Sequence, residues 1–264
     1  MNPLFRDVLG VNLASVLKAM KNGTAILHVA ASNSYMAART GRLEGVTEAQ
    51  LDAIPVLHLD DLLDLLGCPR PSIRLTITRT EDGPLPWLEA VALLALLVVK
   101  NPKEVLEIGT YKGHTSKAMA ENLSGATVHT VDLPLDYVFQ GGQWEETDLQ
   151  LVAKRNVGRE FRDCALSSRI RQHFHDTAIW DFSEVGSPGF FFIDGAHDYE
   201  HCKNDSEKSL TLCHGGEFML WHDCDLGHPG VVRFLHEWRS WGKSVVRIAG
   251  TRLAFWKVAE QTAS

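Results

Sequence analysis

Residues 105–116 read VLEIGTYKGHTS. The first four form a short apolar run that contains one acid, Glu107, and they predict a β-strand. Gly109 and Gly113 then allow a tight turn, in which the backbone can pass close under a ligand, and a helix follows from Thr115. A strand that leads through a glycine loop into a helix is typical of an α/β protein with a parallel sheet.

The sequence on both sides continues this alternation of strands and helices. Further strands are predicted over residues 126–131, 169–173, 190–193 and 217–221, and helices over residues 86–100, 150–164, 201–212 and 230–241. The helix at 86–100 is apolar almost all round, as expected of a helix that packs on a sheet. Residues 245–248 and 253–257 follow each other without a helix, so they predict an antiparallel hairpin at one edge of a mostly parallel sheet.

The first 80 residues lack this regularity. Residues 47–50 have the pattern of a capping box, residues 60–66 begin with acids and are followed by a glycine, and residues 72–78 alternate in polarity. These patterns predict two short helices and one strand. We therefore divide the chain into an N-terminal accessory region, residues 1–80, and a main domain, residues 81–264.

Composition and charge exclude several classes of protein. The chain has 264 residues, of which 22% are charged and 45% hydrophobic, as in a soluble globular protein. Its net charge is −7, which argues against a nucleic acid partner. The longest apolar run, residues 90–99, is shorter than the roughly 20 residues that span a bilayer. Five cysteines without a CxxC pair predict free thiols in the cytoplasm.

The first three strand ends carry candidates for ligand binding, because open α/β sheets bind ligands at the carboxyl ends of their strands. Glu107 can pair with a cation such as an amino acid ammonium, and the GxxxG spacing after it differs from the dinucleotide fingerprint. Asp132 can bind both hydroxyls of a ribose, and the third strand end, His175-Asp176-Thr177, can face an adenine. Each signal also fits an ordinary turn or cap.

The next two strand ends carry candidates for reaction chemistry. If the two strands are neighbours, Asp194 and Asp223 lie close together and form an oxygen site for a hard cation such as Mg²⁺. A divalent ion there can bind a hydroxyl group and lower its pKa. His197 is a candidate general base, with a solvated loop histidine as the alternative. His222 can be either a metal ligand or an orienting residue. Cys224 is expected to be a small buried residue.

Four stretches together resemble a known family: VLEIGTYKGHTS, VHTVDLP, FFFIDGAHDYEHCKNDSEKSL and HGGEFMLWHDCD. In order and spacing they are similar to class I S-adenosylmethionine-dependent methyltransferases. The greatest similarity is to the small-molecule branch with macrocin-type sugar O-methyltransferases and cephalosporin hydroxylase-like proteins. The resemblance covers residues 83–225 and implies a Rossmann-like sheet. The residues that it implies for S-adenosylmethionine binding are Glu107, Gly109, Thr110, Tyr111, Gly113, Thr115, Ser116, Asp132, Asp176, Thr177 and Asp194.

The same resemblance implies the catalytic and metal-binding groups. Asp194 and His197 match an Asp-x-x-His pair that supplies a metal ligand and the general base. The candidate ligands of Mg²⁺ or Mn²⁺ are Asp194, His222 and Asp223, and the resemblance supplies Asp194 among them. The chain departs from the relatives at His222, where they carry a second acid, and at Asp223-Cys224, where others carry an Asp-Asn pair. In such enzymes the N-terminal region is often a substrate lid or a dimer contact, which leaves a homo-oligomer open.

The expected function is transfer of a methyl group from S-adenosylmethionine to a hydroxyl of a small molecule, with no nucleic acid or membrane partner. The resemblance implies a sugar or a polyhydroxylated metabolite as acceptor, and a catechol or other phenol is the alternative. A third interpretation is a methyltransferase-like protein without methyl transfer. A fourth is a zinc peptidase, because residues 197–201 fit HxxEH, a motif that requires both histidines on one helix. Residues 133–148 predict either an aromatic lid or a surface loop.

Overall fold

The structure is a computed structural model that describes residues 7–12, 48–77, 84–137 and 156–260. Its strands are β1 (Asp7–Asn12), β2 (Val56–Leu57), β3 (Ser72–Ile77), β4 (Glu104–Ile108), β5 (Thr127–Asp132), β6 (Ile170–Phe174), β7 (Phe190–Ile193), β8 (Phe218–Trp221), β9 (Val246–Ile248) and β10 (Ala254–Lys257). Its α-helices are α1 (Glu48–Asp52), α2 (Leu59–Leu65), α3 (Trp87–Lys100), α4 (His114–Asn122), α5 (Arg159–Arg162), α6 (Tyr199–Thr211) and α7 (Pro229–Ser240). Every predicted strand is present within a residue or two.

Eight strands form one mixed sheet in the order β2-β9-β10-β8-β7-β4-β5-β6. The five strands from β8 to β6 are parallel, and β10 runs antiparallel to both β8 and β9. The prediction of a mostly parallel sheet with an antiparallel hairpin is therefore confirmed. The hairpin is not outermost, however, because β2 pairs in parallel with β9 and extends the sheet by one strand.

Apolar residues cover both faces of the sheet. Helix α3 is buried along most of its length and packs with α4 on one face. Helices α6 and α7 pack on the other face, where Trp221 and Trp238 meet edge to face with ring centroids 5.5 Å apart. The two rings are at most 1% exposed and belong to the core. No helix in the described ranges has the length and apolarity needed to cross a bilayer.

Two predicted segments either differ from the structure or lie partly outside the described residues. The helix expected at 150–164 is present, among its described residues, only as the single turn α5. Gly158 precedes that turn with φ +71° and donates to the carbonyl oxygen of Tyr111 at 2.9 Å, so the chain bends there toward the glycine loop. Residues 138–148 of the expected lid and residues 150–155 of the helix lie outside the described residues.

The described N-terminal residues join the same architecture as the main domain. Strand β2 adds to the main sheet, and helix α1 packs against α7. Strand β3 pairs with β1 in a separate two-stranded ribbon and contacts α3 and α4. The described part of the accessory region therefore packs on strand β9 and on helices α3, α4 and α7 of the main domain.

Candidate active site

A cavity of about 320 Å³ opens at the carboxyl ends of the parallel strands, where the sequence predicts the ligand. Most predicted site residues line it: Gly109, Thr110, Tyr111, Thr115, Asp132, Asp176, Thr177, Asp194, His197, His222 and Asp223. The remaining three, Glu107, Gly113 and Ser116, are not part of its lining. The strand order places the glycine loop and Asp132 toward β6, and the histidines and Asp223 toward β8.

The two glycines of the loop after β4 are required by protein contacts. Gly109 has φ +99°, and a Cβ atom there would lie 1.9 Å from the carbonyl oxygen of Asp194. Gly113 caps α4 with φ +85°, and a Cβ atom there would lie 2.5 Å from the ring of Phe161. The close approach of a ligand is therefore not needed to explain these glycines, because the adjacent strand end and α5 already crowd the positions of their Cβ atoms.

Glu107 faces hydroxyl groups behind the loop. Its Oε2 accepts a hydrogen bond from Thr130 Oγ1 at 2.6 Å and another from Ser116 Oγ, and the residue is 1% exposed. Burial is the main reason that the pKa of Glu107 rises to about 8, against the lowering effect of the two hydroxyls. The carboxyl group is therefore largely protonated at neutral pH.

Asp132 closes the glycine loop from the neighbouring strand. One carboxylate oxygen accepts from the backbone N–H of Tyr111 and the other from that of Leu133, both at 2.8 Å. The carboxylate is thus fixed at the cavity wall. Each of its oxygens has a second lone pair that can accept a ligand hydroxyl.

The segment after β6 is held by several hydrogen bonds. Asp176 accepts from the Tyr137 hydroxyl at 2.9 Å and from the backbone N–H of Ala178 at 2.9 Å. The ammonium group of Lys208 on α6 donates to the carbonyl oxygens of Thr177, Ala178 and Trp180. Asp176 and Thr177 therefore line the cavity from a segment whose shape is fixed by α6.

Acidic and imidazole groups meet where β7 and β8 end. The register pairs Ile193 with Trp221, so Asp194 and His222 follow at the same level. Nδ1 of His222 lies 3.0 Å from Asp194 Oδ1 and 3.1 Å from Asp223 Oδ2. The predicted proximity of Asp194 and Asp223 is confirmed, since one oxygen of each carboxylate and a nitrogen of His222 lie within 4.8 Å of one another.

Glu89 and Arg252 complete this cluster. Nε2 of His222 lies 2.7 Å from Glu89 Oε2, and the guanidinium group of Arg252 contacts Glu89 at 3.2 Å and also binds Asp223 Oδ1. Burial opposes the charged imidazolium, but the carboxylates of Asp223 and Asp194 outweigh it and raise the pKa of His222 well above its ordinary value. Burial likewise opposes ionisation of Asp223, yet the cations around it hold its pKa well below the ordinary value.

His197 is held against Asp223 at the cavity wall. Its Nε2 lies 2.8 Å from Asp223 Oδ2, and its ring packs against that of His228 with centroids 4.7 Å apart. The residue is 8% exposed, so the alternative of a solvated loop histidine is wrong. Asp223 itself has φ +54°, a backbone conformation that costs a non-glycine residue about 1–3 kcal/mol and is common at functional sites.

The donor atoms around His222 fit a divalent ion. Nδ1 of His222 is buried and makes no contact of hydrogen-bond geometry, although Asp194 and Asp223 are 3.0 and 3.1 Å away. Ligands at right angles on an octahedral ion with bonds of about 2.1 Å are about 3.0 Å apart. Three carboxylates face one guanidinium here, so a divalent cation would balance the charge when His222 is neutral. Glu89 on Nε2 is the outer carboxylate that metal-bound histidines commonly have.

The zinc peptidase motif does not form. His197 lies in the loop before α6, Asp198 is the helix N-cap, and only His201 lies within the helix. The two histidines also have different partners, since Nδ1 of His201 lies 2.6 Å from Asp198 Oδ2. Cys224 is buried, and burial raises the pKa of its thiol to about 12, as expected of a packing residue.

Sequence reasoning missed Glu89, Arg252 and His228. Glu89 left a usable signal, because it is the only acid in the apolar helix α3, and a buried charge requires a partner. Arg252 lies in the turn between β9 and β10 and carried no signal of its own. His228 lies 3.0 Å from Asp225 and 3.7 Å from Asp223, among several histidines that the sequence could not rank.

This α/β fold with a ligand cavity at its strand ends is the class I methyltransferase fold. Residues 106–224 match the family model described as a methyltransferase domain. The O-methyltransferase NovP superposes with a TM-score of 0.51 at 15% identity, over 65% of this chain and 78% of that one.

Two other solved structures are similar at lower scores. An O-methyltransferase from Bacillus cereus in complex with SAH has a TM-score of 0.47 at 15% identity, over 86% of this chain and 97% of that one. TomG from Streptomyces achromogenes, in complex with SAM, has a TM-score of 0.47 at 17% identity, over 87% of this chain and 97% of that one.

Proposed function

We propose that the protein transfers a methyl group from S-adenosylmethionine to a hydroxyl oxygen of a small molecule. The observation that carries this proposal is a single cavity with two chemically different sides. One side has the glycine loop and the fixed carboxylate of Asp132. The other has His197 paired with Asp223, next to Asp194. A methyl donor and a hydroxyl acceptor need these two kinds of surface within reach of each other.

The residues of the first side would hold S-adenosylmethionine. Asp132 would accept the ribose hydroxyls, and Asp176 and Thr177 would lie along the adenine. The lining residues Gly109, Thr110, Tyr111, Thr115 and Asp194 would contact the rest of the cofactor. We assign Glu107, Gly113 and Ser116 a supporting role, because Glu107 and Ser116 bind each other behind the loop and Gly113 packs on Phe161.

His197 would act as the general base. With Nε2 2.8 Å from the carboxylate of Asp223, the neutral imidazole would carry its proton on Nε2 and accept on Nδ1. Asp223 would stabilise the imidazolium after Nδ1 accepts the proton of the acceptor hydroxyl, as the methyl group arrives at the oxygen. Asp223 is thus a positioning residue for the base as well as a candidate metal ligand.

Asp194, His222 and Asp223 would hold a divalent ion. When bound, such an ion supplies a positive charge that lowers the pKa of an acceptor hydroxyl. The ligand set contains one imidazole nitrogen, which Mn²⁺ accepts more readily than Mg²⁺. We therefore propose Mn²⁺ ahead of Mg²⁺, in contrast to a site made of carboxylates alone.

The resemblance supports a sugar or a polyhydroxylated metabolite as acceptor, since carboxylates and imidazoles can bind several hydroxyls. One observation favours the alternative of a catechol or other phenol. Pro84, Leu85 and Pro86 also line the cavity and offer an apolar surface on which an aromatic ring can pack.

The test is incubation with labelled S-adenosylmethionine and matched panels of glycosylated metabolites and phenols, with Mg²⁺, with Mn²⁺ and with chelator. We expect label on an oxygen of one panel, loss of turnover in chelator and better recovery with Mn²⁺. Full turnover in excess chelator would end the metal proposal alone. Absence of S-adenosylhomocysteine binding by calorimetry would end the methyltransferase proposal.

The composition of the chain supports proposals about its compartment and its partners. The five cysteines are free thiols, which fits a reducing cytoplasm. The net charge of −7 supports a small-molecule partner over a nucleic acid. We propose a homo-oligomer as the alternative to a monomer. Sedimentation measures the mass of the particle and so distinguishes the two.

A further inference from the structure

A second group of metal-binding side chains lies on strand β6, at the far end of the sheet from β2. We call it the β6 histidine cluster, and it consists of His173, His175 and Glu184, with His129 of β5 behind them. His175 directly precedes Asp176 in the chain and also lines the cavity described above. No role proposed above uses His173 or Glu184.

One carboxylate faces two imidazoles in this cluster. Glu184 Oε1 lies 3.1 Å from His175 Nε2, and Glu184 Oε2 lies 3.7 Å from His173 Nδ1. One ligand atom from each of the three residues lies within 4.8 Å of the others. Tetrahedral Zn²⁺ has bonds of about 2.0–2.1 Å to nitrogen and oxygen, so its ligand atoms are about 3.3 Å apart. The two measured distances lie on either side of that spacing.

The two buried imidazoles of the cluster region form a row between the carboxylates of Glu104 and Glu184. His173 Nε2 lies 3.0 Å from His129 Nδ1, and His129 Nε2 lies 3.7 Å from Glu104. Of these contacts, the one between the two rings is within hydrogen-bonding distance, so one imidazole donates to the other. With a cation on Nδ1, His173 would donate its Nε2–H to His129, in the way that metal-bound histidines donate their other N–H to an acceptor.

The cluster is also held in shape without an ion. The indole of Trp180 stacks on the His175 ring with centroids 4.6 Å apart and planes 14° apart, and it packs at 5.2 Å against the His173 ring. The Lys208 ammonium fixes the backbone between β6 and Trp180 through three carbonyl oxygens. Rings and backbone that are fixed in advance lower the cost of binding.

We propose that the β6 histidine cluster binds a divalent transition-metal ion of the Zn²⁺ type, with His173 Nδ1, His175 Nε2 and Glu184 as ligands. Two imidazoles and one carboxylate suit Zn²⁺, Co²⁺ or Ni²⁺ better than Mg²⁺. The ion can enter from solvent, since Glu184 is exposed, His175 is half-buried and His173 is the buried ligand. Once bound, it ties Glu184 to β6 and so fixes the segment that carries Asp176 at the cavity wall.

Co²⁺ is the probe that tests this site. Co²⁺ absorbs visible light far more strongly in tetrahedral than in octahedral surroundings, so the cluster and the octahedral donor set around His222 give different spectra. We expect wild-type protein freed of metal to develop one equivalent of the intense band, and Zn²⁺ to displace it. His222→Ala should keep that band. His175→Ala and Glu184→Gln should lose it, and each should weaken Zn²⁺ binding at least about tenfold.

The matched control is His236→Ala, which removes a histidine of α7 outside the cluster and should leave the band unchanged. Melting in chelator checks that the variants fold, and the exposed Glu184 offers the milder change. No intense band in the wild type, or equal bands in the wild type and both cluster variants, overturns the proposal. These readouts do not involve methyl transfer, so they stand apart from the proposed function.

Discussion

The pairing of His197 with Asp223 predicts a strong effect of a single side chain on rate. His197→Ala should lower turnover by roughly two to four orders of magnitude, the usual range for a lost general base. Affinity for S-adenosylhomocysteine should stay near the wild-type value, because the cofactor residues lie on the other side of the cavity. Steady-state kinetics and calorimetry measure the two quantities.

The pH profile of the same variant separates a base from a packing residue. The wild-type rate should rise with pH through one ionisation, and that rise should be missing in His197→Ala. A variant that keeps more than about a third of wild-type turnover places the base elsewhere, and His222 is then the next candidate.

The contact between Gly109 and Asp194 predicts an effect on stability. Gly109→Ala places a methyl group against the Asp194 carbonyl oxygen, in a backbone conformation that is strained for alanine. We expect the free energy of unfolding to fall by roughly 2–4 kcal/mol in urea titrations. Gly125→Ala is the matched control, since Gly125 has φ +77° and a Cβ atom there would meet no other atom within 4 Å, and it should cost only about 1 kcal/mol. Equal losses in the two variants would contradict the steric explanation.

At the scale of elements, helix α3 contributes chemistry as well as packing. Glu89 is its one buried acid and lies against His222. Glu89→Gln should weaken Mn²⁺ binding about 10- to 100-fold, the usual effect of losing an outer carboxylate partner. S-adenosylhomocysteine binding should not change, and calorimetry follows both ligands.

The control for Glu89 is the same substitution on another helix. Glu207→Gln removes an exposed acid of α6 and should bind Mn²⁺ as the wild type does. Wild-type Mn²⁺ affinity in Glu89→Gln would show that this carboxylate does not support His222.

The sequence predicts elements better than it predicts the contacts between them. Apolar runs and turn residues placed strands β4 to β8, and strand order then placed Asp194 beside Asp223. Glu89 is recognisable as the one acid in an apolar helix, but its partner His222 escaped prediction because a helix pattern does not show which strand end the acid faces. Arg252 escaped prediction because the residues of a turn have no periodic pattern of polarity. The helix expected at 150–164 was wrong in its described part, since Gly158 bends the chain there.

For the molecule as a whole, the buried Glu107 predicts how stability depends on pH. Burial raises its pKa from 4.5 to about 8, so between these values the folded protein binds a proton that the unfolded chain has lost. Its contribution is therefore fully present below about pH 4.5 and is lost as the pH rises through about 8.

Glu107→Gln removes this dependence while keeping the shape of the side chain. We expect wild-type stability, measured relative to the variant, to fall by at least about 1 kcal/mol between pH 5 and pH 8.5. Urea titrations at the two pH values measure it. A difference between the two proteins that stays constant with pH would mean that Glu107 remains ionised when folded.

The position of Glu89 and Arg252 in the chain limits how the protein can be divided. Both lie outside residues 106–224, which match the family model, yet both bind residues within that stretch. A fragment cut to the matched boundaries would keep His222 and Asp223 but lose their two charged neighbours, along with helix α3 and the final hairpin. Any transplant of this chemistry into another protein must therefore carry at least residues 84–257.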